Sequence, residues 1–148
     1  MQLRHDMLTH GVYVVCADHQ GRRGGLALAW ATQVGTDTIL ICVGKQSATR
    51  KLILDSGAFG LSALAQDQVD VARLFGRHSS PEVNKFENMA YHTAVTGSPL
   101  LDDCGLALDC RVQDVHDLDT KKLIVGRIEA AEQLRDVYEP LVYHEEDY

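Results

Sequence analysis

Residues 37–64 read DTILICVGKQSATRKLILDSGAFGLSAL, and the hydrophobic pattern changes twice within this stretch. Residues 37–44 form a continuous apolar run between turn residues, which predicts a strand buried on both faces. A short helix should follow, because Ser47 is a good N-cap and Gly57 stands where a C-terminal cap belongs. Residues 58–64 return to a strand pattern. The stretch therefore predicts strand, short helix and strand.

On the N-terminal side of this stretch the pattern is also mainly that of strands. Residues 11–18 form a β-branched run that predicts a strand, and residues 19–25, rich in glycine and arginine, predict a loop. Residues 26–34 fit a helix or a strand by composition.

On the C-terminal side, residues 66–75 predict an amphipathic helix that ends at Gly76, and residues 79–81 predict the start of a further helix. Residues 104–115 and 122–130 mix β-branched and apolar residues around an aspartate-containing turn. They predict an antiparallel pair of strands.

The order of these elements limits the fold class. Roughly six strands with short helices between them do not alternate regularly with helices, so a doubly wound parallel sheet does not fit. A closed or partly closed antiparallel barrel fits, because closure removes exposed strand edges. A length of 148 residues is that of one domain. We therefore expect a single, mainly β domain with short helices over residues 1–148.

Composition excludes several classes of partner. The net charge is −7 and the basic residues are scattered, whereas nucleic acid requires a basic footprint. No apolar run approaches the roughly 20 residues that span a bilayer, and residues 1–15 lack the pattern of a signal peptide. We expect a cytoplasmic protein without membrane or nucleic-acid contacts.

Neither a metal site nor a nucleophile is predicted. The seven histidines are dispersed, and the four cysteines contain no C-x-x-C pair, so the cysteines are expected to be buried and inert. No G-x-S-x-G elbow or G-x-G-x-x-G loop is present. No side chain is therefore assigned a catalytic role.

The turn between the first strand and the helix of residues 37–64 can be interpreted as a phosphate site. A helix N-terminus offers free N–H groups, and its dipole favours an anion. Hydroxyl groups and cations are added by Lys45, Ser47, Thr49, Arg50 and Lys51. The spacing is not that of a Walker loop. A capped surface helix with solvated basic residues remains an open alternative.

The only tryptophan, Trp30, precedes small and polar residues. A lone tryptophan in an apolar run is usually part of a core. Here Ala31, Thr32 and Gln33 could approach a planar ring and hydrogen-bond its edge, as in a flavin site.

From residue 10 onwards the chain resembles the flavin reductase-like, FMN-binding split-barrel family, which includes flavin reductases and flavoredoxin. Each motif is short, but nine of them occur in the family's order. They are GVYVV at 11–15, AWATQV at 29–34, S-x-T at 47–49 before LI at 52–53, SG-x-F at 56–59, KF at 85–86, SPL at 98–100, LDCRV at 108–112, IVGRI at 124–128 and PL-x-Y at 140–143.

This resemblance implies a Greek-key split β-barrel and a homodimer with FMN near the subunit interface. Ser47 and Thr49 would bind the phosphate with help from Lys45, and Lys85 would supply positive charge near the cofactor. The residues expected to line the isoalloxazine ring are Ala29, Trp30, Ala31, Thr32 and Gln33.

The chain departs from the family's pattern at three places. Residues 25–27 (GLA) stand where the family often has Asn and Thr that contact the flavin, and residues 35–38 (GTDT) replace S-x-x-PP. Residues 119–121 (DTK) replace GDH, so the histidine that is often near the nicotinamide is absent.

The resemblance implies transfer of electrons from NAD(P)H through FMN to free flavin or another acceptor. Hydride transfer needs no acid–base side chain, so the lack of a catalytic residue is consistent with this activity. One alternative is a non-enzymatic, flavoredoxin-like carrier that works with a redox partner protein. Another is a split barrel that has lost its flavin and serves as a binding module.

Overall fold

The computed structural model describes residues 1–45, 47–77 and 84–147, and of Arg77 only the backbone. In these residues the strands are β1 (Tyr13–His19), β2 (Arg22–Leu28), β3 (Ala31–Gln33), β4 (Thr38–Val43), β5 (Ala58–Ala63), β6 (Tyr91–His92), β7 (Leu100–Leu101), β8 (Leu106–Leu118) and β9 (Lys121–Gln133). The α-helices are α1 (Ala48–Ser56) and α2 (Val69–Arg77), and Glu145–Asp147 forms a 3₁₀ turn.

Seven strands form one antiparallel sheet in the order β2-β1-β5-β8-β9-β4-β3, while β6 and β7 pair separately. The sheet curls, because strands that are far apart in this order contribute to one buried cluster. Val15 of β1, Ile41 of β4 and Phe59 of β5 all belong to this cluster. The expected mainly β, barrel-like fold is confirmed.

The caps of α1 explain why this short helix forms. Ser47 is the N-cap, and its Oγ accepts a hydrogen bond from the Arg50 N–H at 3.3 Å. At the other end Gly57 adopts φ 73°, and its N–H donates to the Ile53 carbonyl at 2.8 Å. Both predicted caps are confirmed. The helix buries Thr49 and Ile53, which are one turn apart.

The prediction that the strand before α1 is buried on both faces is wrong. Ile39, Ile41 and Val43 of β4 are buried, whereas Leu40 and Cys42 are only half-buried. This alternation means that one face of β4 packs on the core. The other face borders a cleft.

The predicted loop over residues 19–25 is also mostly wrong. A tight turn at Gln20 and Gly21, both with positive φ, returns the chain, and β2 already begins at Arg22. Gly25 is required by packing, because a Cβ at this position would lie 2.7 Å from the Phe75 ring. Residues 26–34, which fit a helix or a strand by composition, contain the end of β2 and all of β3.

Other boundaries differ by a few residues. The α2 helix starts at Val69 and runs through Gly76 instead of ending there. The helix start predicted at residues 79–81 lies outside the described residues. The predicted C-terminal strand pair is confirmed as β8 and β9, which are longer than expected.

Candidate functional site

The N-terminus of α1 carries polar groups that lack partners within the described residues. The Thr49 residue is only 3% exposed, and its hydroxyl makes no hydrogen bond there; this oxygen reaches the surface, since no buried side-chain oxygen of the described residues lacks a partner. Lys45 is exposed and has no carboxylate partner in the same part of the chain. The first-turn N–H groups of a helix also lack intrahelical acceptors. The turn can therefore accept an anion without breaking a described contact of either side chain.

Arg50 and Lys51, which were also predicted to contact the cofactor, are engaged elsewhere. Arg50 Nη1 donates to the Thr120 carbonyl at 2.9 Å, which ties α1 to the β8–β9 turn. Lys51 Nζ contacts Asp55 Oδ2 at 2.7 Å, one turn further along the helix. Neither contact tests the prediction for these two residues, but both show that their charges already have protein partners.

A cleft of about 290 Å³ lies beside this turn, and we call it the Trp30 cleft. Its wall includes Ala29, Trp30, Cys42 and Gly44, together with residues 26–28 at the end of β2. Gly44 is three residues before the N-cap of α1, so the cleft adjoins the helix N-terminus. The wall is mainly apolar, as is usual for small-molecule sites.

The five residues expected to line a flavin ring are divided between two clefts. Ala29 and Trp30 line the Trp30 cleft. Ala31, Thr32 and Gln33 line a second cleft of about 430 Å³. Its apolar wall also includes Leu106, Leu108 and Ile128 from β8 and β9. The sequence alone did not reveal this division of the segment.

Lys85 is buried inside the fold. Its Nζ donates to the carbonyls of Gly25 at 2.9 Å and Phe75 at 3.2 Å, and the residue is 5% exposed. Phe75 lies in the last turn of α2, where carbonyls lack intrahelical donors and a cation is favourable. Burial lowers the pKa of Lys85. This geometry gives Lys85 a structural task, and its contact with a cofactor stays a prediction.

Three residues around Trp30 were not identified as site residues from the sequence. The His5 ring packs edge-on against Trp30 at 5.6 Å between centroids, and Tyr143 lines the same cleft. Lys121 Nζ lies 5.7 Å from the Trp30 ring centroid. Only Lys121 carried a signal, because it stands where the family pattern has histidine.

The prediction that the cysteines are buried holds for three of them and is wrong for one. Cys16, Cys104 and Cys110 are buried, and all four cysteines are free. Cys42 is half-buried in the wall of the Trp30 cleft. Burial raises the pKa of the Cys42 thiol, and the Lys121 ammonium partly opposes that rise. The thiol form of Cys42 is thereby favoured.

In the described residues, no group of three or more His, Cys, Asp or Glu side chains could hold a metal ion. Neither α-helix there has the length and hydropathy that a bilayer crossing requires.

Comparison with known proteins identifies the family. The family model described as "Flavin reductase like domain" matches residues 3–148. The ferric-chelate reductase (NAD(P)H) of Archaeoglobus fulgidus is 31% identical over 140 residues, which are 92% of this chain and 82% of that protein. The FMN reductase (NADH) RutF of Stutzerimonas stutzeri is 27% identical over 143 residues, 95% of this chain and 81% of that protein.

Solved structures agree on the fold. An FMN-binding protein from Thermus thermophilus superposes with a TM-score of 0.90 at 22% identity, and the match covers all of this chain and 89% of that one. At this identity the likeness bears on the fold alone. The family model and the relative at 31% identity show that the chain belongs to the flavin reductase-like family.

Proposed function

We propose that this chain binds FMN and transfers electrons from NAD(P)H through it to free flavin or another acceptor. The observation that carries the proposal is the position of the α1 N-terminus beside the Trp30 cleft. Thr49 and Lys45 provide a hydroxyl and a cation without partners in the described residues, next to a mainly apolar cleft. FMN has the matching two parts, a phosphate monoester and a planar ring.

The residues present fit this cofactor. Ser47, Thr49 and Lys45 would hold the phosphate together with the first-turn N–H groups of α1. Ala29 and Trp30 would line the ring, and the apolar cleft wall would exclude water from it. We expect the predicted homodimer partner to cover the second cleft, which would bring Ala31, Thr32 and Gln33 to the subunit interface.

The chemistry itself would come from the cofactor, since bound FMN supplies a ring that accepts a hydride and its electron pair. NAD(P)H would give up this hydride and become NAD(P)⁺, and the acceptor would take up the electron pair. The protein has to position the ring, neutralise the phosphate and keep water away. None of these tasks requires a side chain that moves a proton, which is consistent with the absence of a predicted acid or base.

The phosphate assignment is tested by Ser47→Asp. Aspartate is as good an N-cap as serine, so the free energy of unfolding should change by only about 0.5 kcal/mol. Its carboxylate would occupy the anion site and repel the phosphate, so the FMN Kd should rise at least about 100-fold. Riboflavin carries the same ring without the phosphate, and its Kd should stay within about twofold of the wild-type value.

A second substitution removes only the hydroxyl of Thr49, a residue that is mostly buried. Thr49→Val should raise the FMN Kd about tenfold, the effect of one lost hydrogen bond to a charged group. Thr38→Val removes a hydroxyl at the opposite end of β4, where it donates to Asp37, and should leave the Kd unchanged. If Ser47→Asp binds FMN as the wild type does, the phosphate assignment is wrong.

The carrier alternative is favoured by one observation, the presence of Lys121 at the position of the family's histidine. Anaerobic addition of NADH to FMN-loaded protein separates the two functions. Bleaching of the flavin band within seconds supports the reductase, as the names of the two relatives do. A band that persists until dithionite is added supports a carrier that receives electrons from a partner protein.

A further inference from the structure

Lys121 is a cation beside the Trp30 cleft that lacks an acidic partner in the described part of the chain. Its Nζ lies 5.7 Å from the centroid of Trp30, and no carboxylate of these residues pairs with it. The next residue, Lys122, differs completely, because its Nζ contacts Asp117 Oδ1 at 2.6 Å. Of these two adjacent lysines, one is therefore paired with a carboxylate and the other is not.

Strand register explains the difference. Leu123 of β9 pairs with Cys42 of β4, and Lys122 pairs with Val43. Side chains alternate between the faces of a strand, so Lys121 shares its face with Leu123 and Cys42. Cys42 lines the Trp30 cleft, whereas Val43 faces the core. Lys121 is thus directed to the side of the sheet on which the cleft lies.

A hydrogen bond to the preceding residue and a contact of its own ammonium group hold Lys121 in this place. Its backbone follows Thr120, whose carbonyl accepts a hydrogen bond from Arg50 of α1 at 2.9 Å. Its ammonium lies near the face of a partly buried tryptophan, an attraction that keeps the charge at the cleft. The cation is therefore preorganised next to α1 and Trp30 before any ligand enters.

We propose that Lys121 makes the Trp30 cleft bind reduced FMN more tightly than oxidised FMN. This inference rests on the proposed function, because it takes the cleft as the ring site. The reduced ring carries a negative charge near neutral pH that the oxidised ring lacks. A nearby cation without a competing carboxylate stabilises the charged form selectively. Lys121 would thus tune the cofactor's potential, a role that its neighbour Lys122 cannot share.

The test measures two quantities for each variant. The Kd of oxidised FMN is obtained from quenching of the single tryptophan, and the midpoint potential of bound FMN from an anaerobic titration. The difference between the midpoint potentials of bound and free FMN gives the ratio of the Kd of oxidised FMN to the Kd of reduced FMN. In Lys121→Gln the Kd of oxidised FMN should stay within about twofold, while the Kd of reduced FMN rises about tenfold. For a two-electron couple this is a shift of about 30 mV to more negative potential.

Two matched variants separate charge from structure. Lys121→Arg keeps the cation and should retain the wild-type ratio. Lys122→Gln removes a neighbouring charge on the other face and should leave the ratio unchanged. A structural role for Lys121 would instead raise both Kd values together and would overturn the proposal.

Three further results are distinguishable. If Lys121→Gln binds FMN with an unchanged ratio, the proposal for Lys121 is wrong and the flavin site stands. If only the KM for NADH rises, Lys121 contacts the dinucleotide and the proposal is again wrong. If the wild-type protein binds no FMN, the proposed function fails and this inference fails with it.

Discussion

The two ends of the β8–β9 hairpin differ in how their charges are satisfied. Near the turn, Lys122 is paired with Asp117, but Lys121, whose Nζ lies 5.7 Å from the Trp30 ring, has no acidic partner in the described residues, and neither has Lys45 in the segment before α1. At the far end, the charges around the end of β9 form networks. These are His92 with Asp102 and Glu132, and Arg135 with Asp67 and Asp103.

Charged groups that are paired inside the protein stabilise the fold, whereas charged groups without a protein partner can bind a ligand. A buried or partly buried polar group that is paired inside the protein contributes to stability, and its loss leaves a partner unsatisfied. A group without a protein partner contributes little to stability but can contribute to binding. Substitutions of the paired groups at the far end should therefore change the free energy of unfolding, and substitutions of the unpaired Lys121 and Lys45 should change ligand affinity.

The largest effect is expected at Asp109, which lies on β8 towards the paired end and is fully buried. Its carboxylate accepts hydrogen bonds from the N–H groups of Val95 and Thr96 at 2.7 and 2.8 Å and from the Thr96 hydroxyl at 2.5 Å. Asp109→Ala removes the acceptor for all three donors and should lower the free energy of unfolding by about 3 kcal/mol in urea titrations.

Thr96→Val provides the graded control for this change. It removes the hydroxyl, which donates to Asp109 and accepts a hydrogen bond from the Ser98 N–H at 3.3 Å, but keeps both backbone hydrogen bonds to Asp109, so it should cost only about 1 to 2 kcal/mol. An Asp109→Ala protein that unfolds within about 1 kcal/mol of the wild type would show that the paired end does not stabilise the fold as the contacts suggest.

At Lys45 we expect a smaller effect, on FMN affinity and not on the free energy of unfolding. Lys45→Gln removes an exposed cation, so the unfolding curve of the ligand-free protein should not move. The FMN Kd should rise about fivefold to tenfold, about 1 to 1.4 kcal/mol, because one charge opposite the phosphate is lost. Lys51→Gln is the matched control, since Lys51 is already paired with Asp55. Equal effects of the two substitutions would contradict the distinction between paired and unpaired cations.

The contrast between the two regions also shows what could be read from the sequence. The α1 helix was predicted correctly because its caps act over three or four residues, between Ser47 and Arg50 and between Gly57 and Ile53. The β2 strand was missed because residues 21–25 have the composition of a loop. Gly25 is there for close packing against Phe75, which is distant in sequence.

The distinction between contacts that are local in sequence and contacts between distant residues also applies to the candidate site. The start of α1 is local, with Ser47 as the N-cap and Thr49 in the first turn, and their contact with a phosphate stays a prediction. The cleft is formed by residues far apart in sequence, and His5 and Tyr143 come from opposite ends of the chain. The family resemblance placed the charge of Lys85 near the cofactor, whereas the carbonyls of Gly25 and Phe75 that accept its hydrogen bonds cannot be predicted from the sequence.

The smallest expected effect is a pH dependence caused by His92 at the paired end. Its Nδ1 lies 2.5 Å from Asp102 and its Nε2 lies 3.0 Å from Glu132. Burial lowers the pKa of His92, but the hydrogen bonds to the two carboxylates outweigh it, so the pKa is raised above 6.5. The folded state then binds the proton more tightly than the unfolded state does. This stabilisation is complete below pH 6.5 and is lost as the pH rises through the folded pKa.

Because the His92 side chain is one-third exposed, solvent screening should limit this contribution to about 0.5 kcal/mol. Urea unfolding measures this contribution when the wild type and His92→Gln are compared at fixed ionic strength between pH 5.5 and about 8.5. The stability difference between the two proteins should shrink as the pH rises. A difference that stays constant or grows with pH would mean that the two carboxylates do not hold a proton on His92. The paired end would then owe its stability to Asp109 and packing, with no contribution from the charge of this histidine.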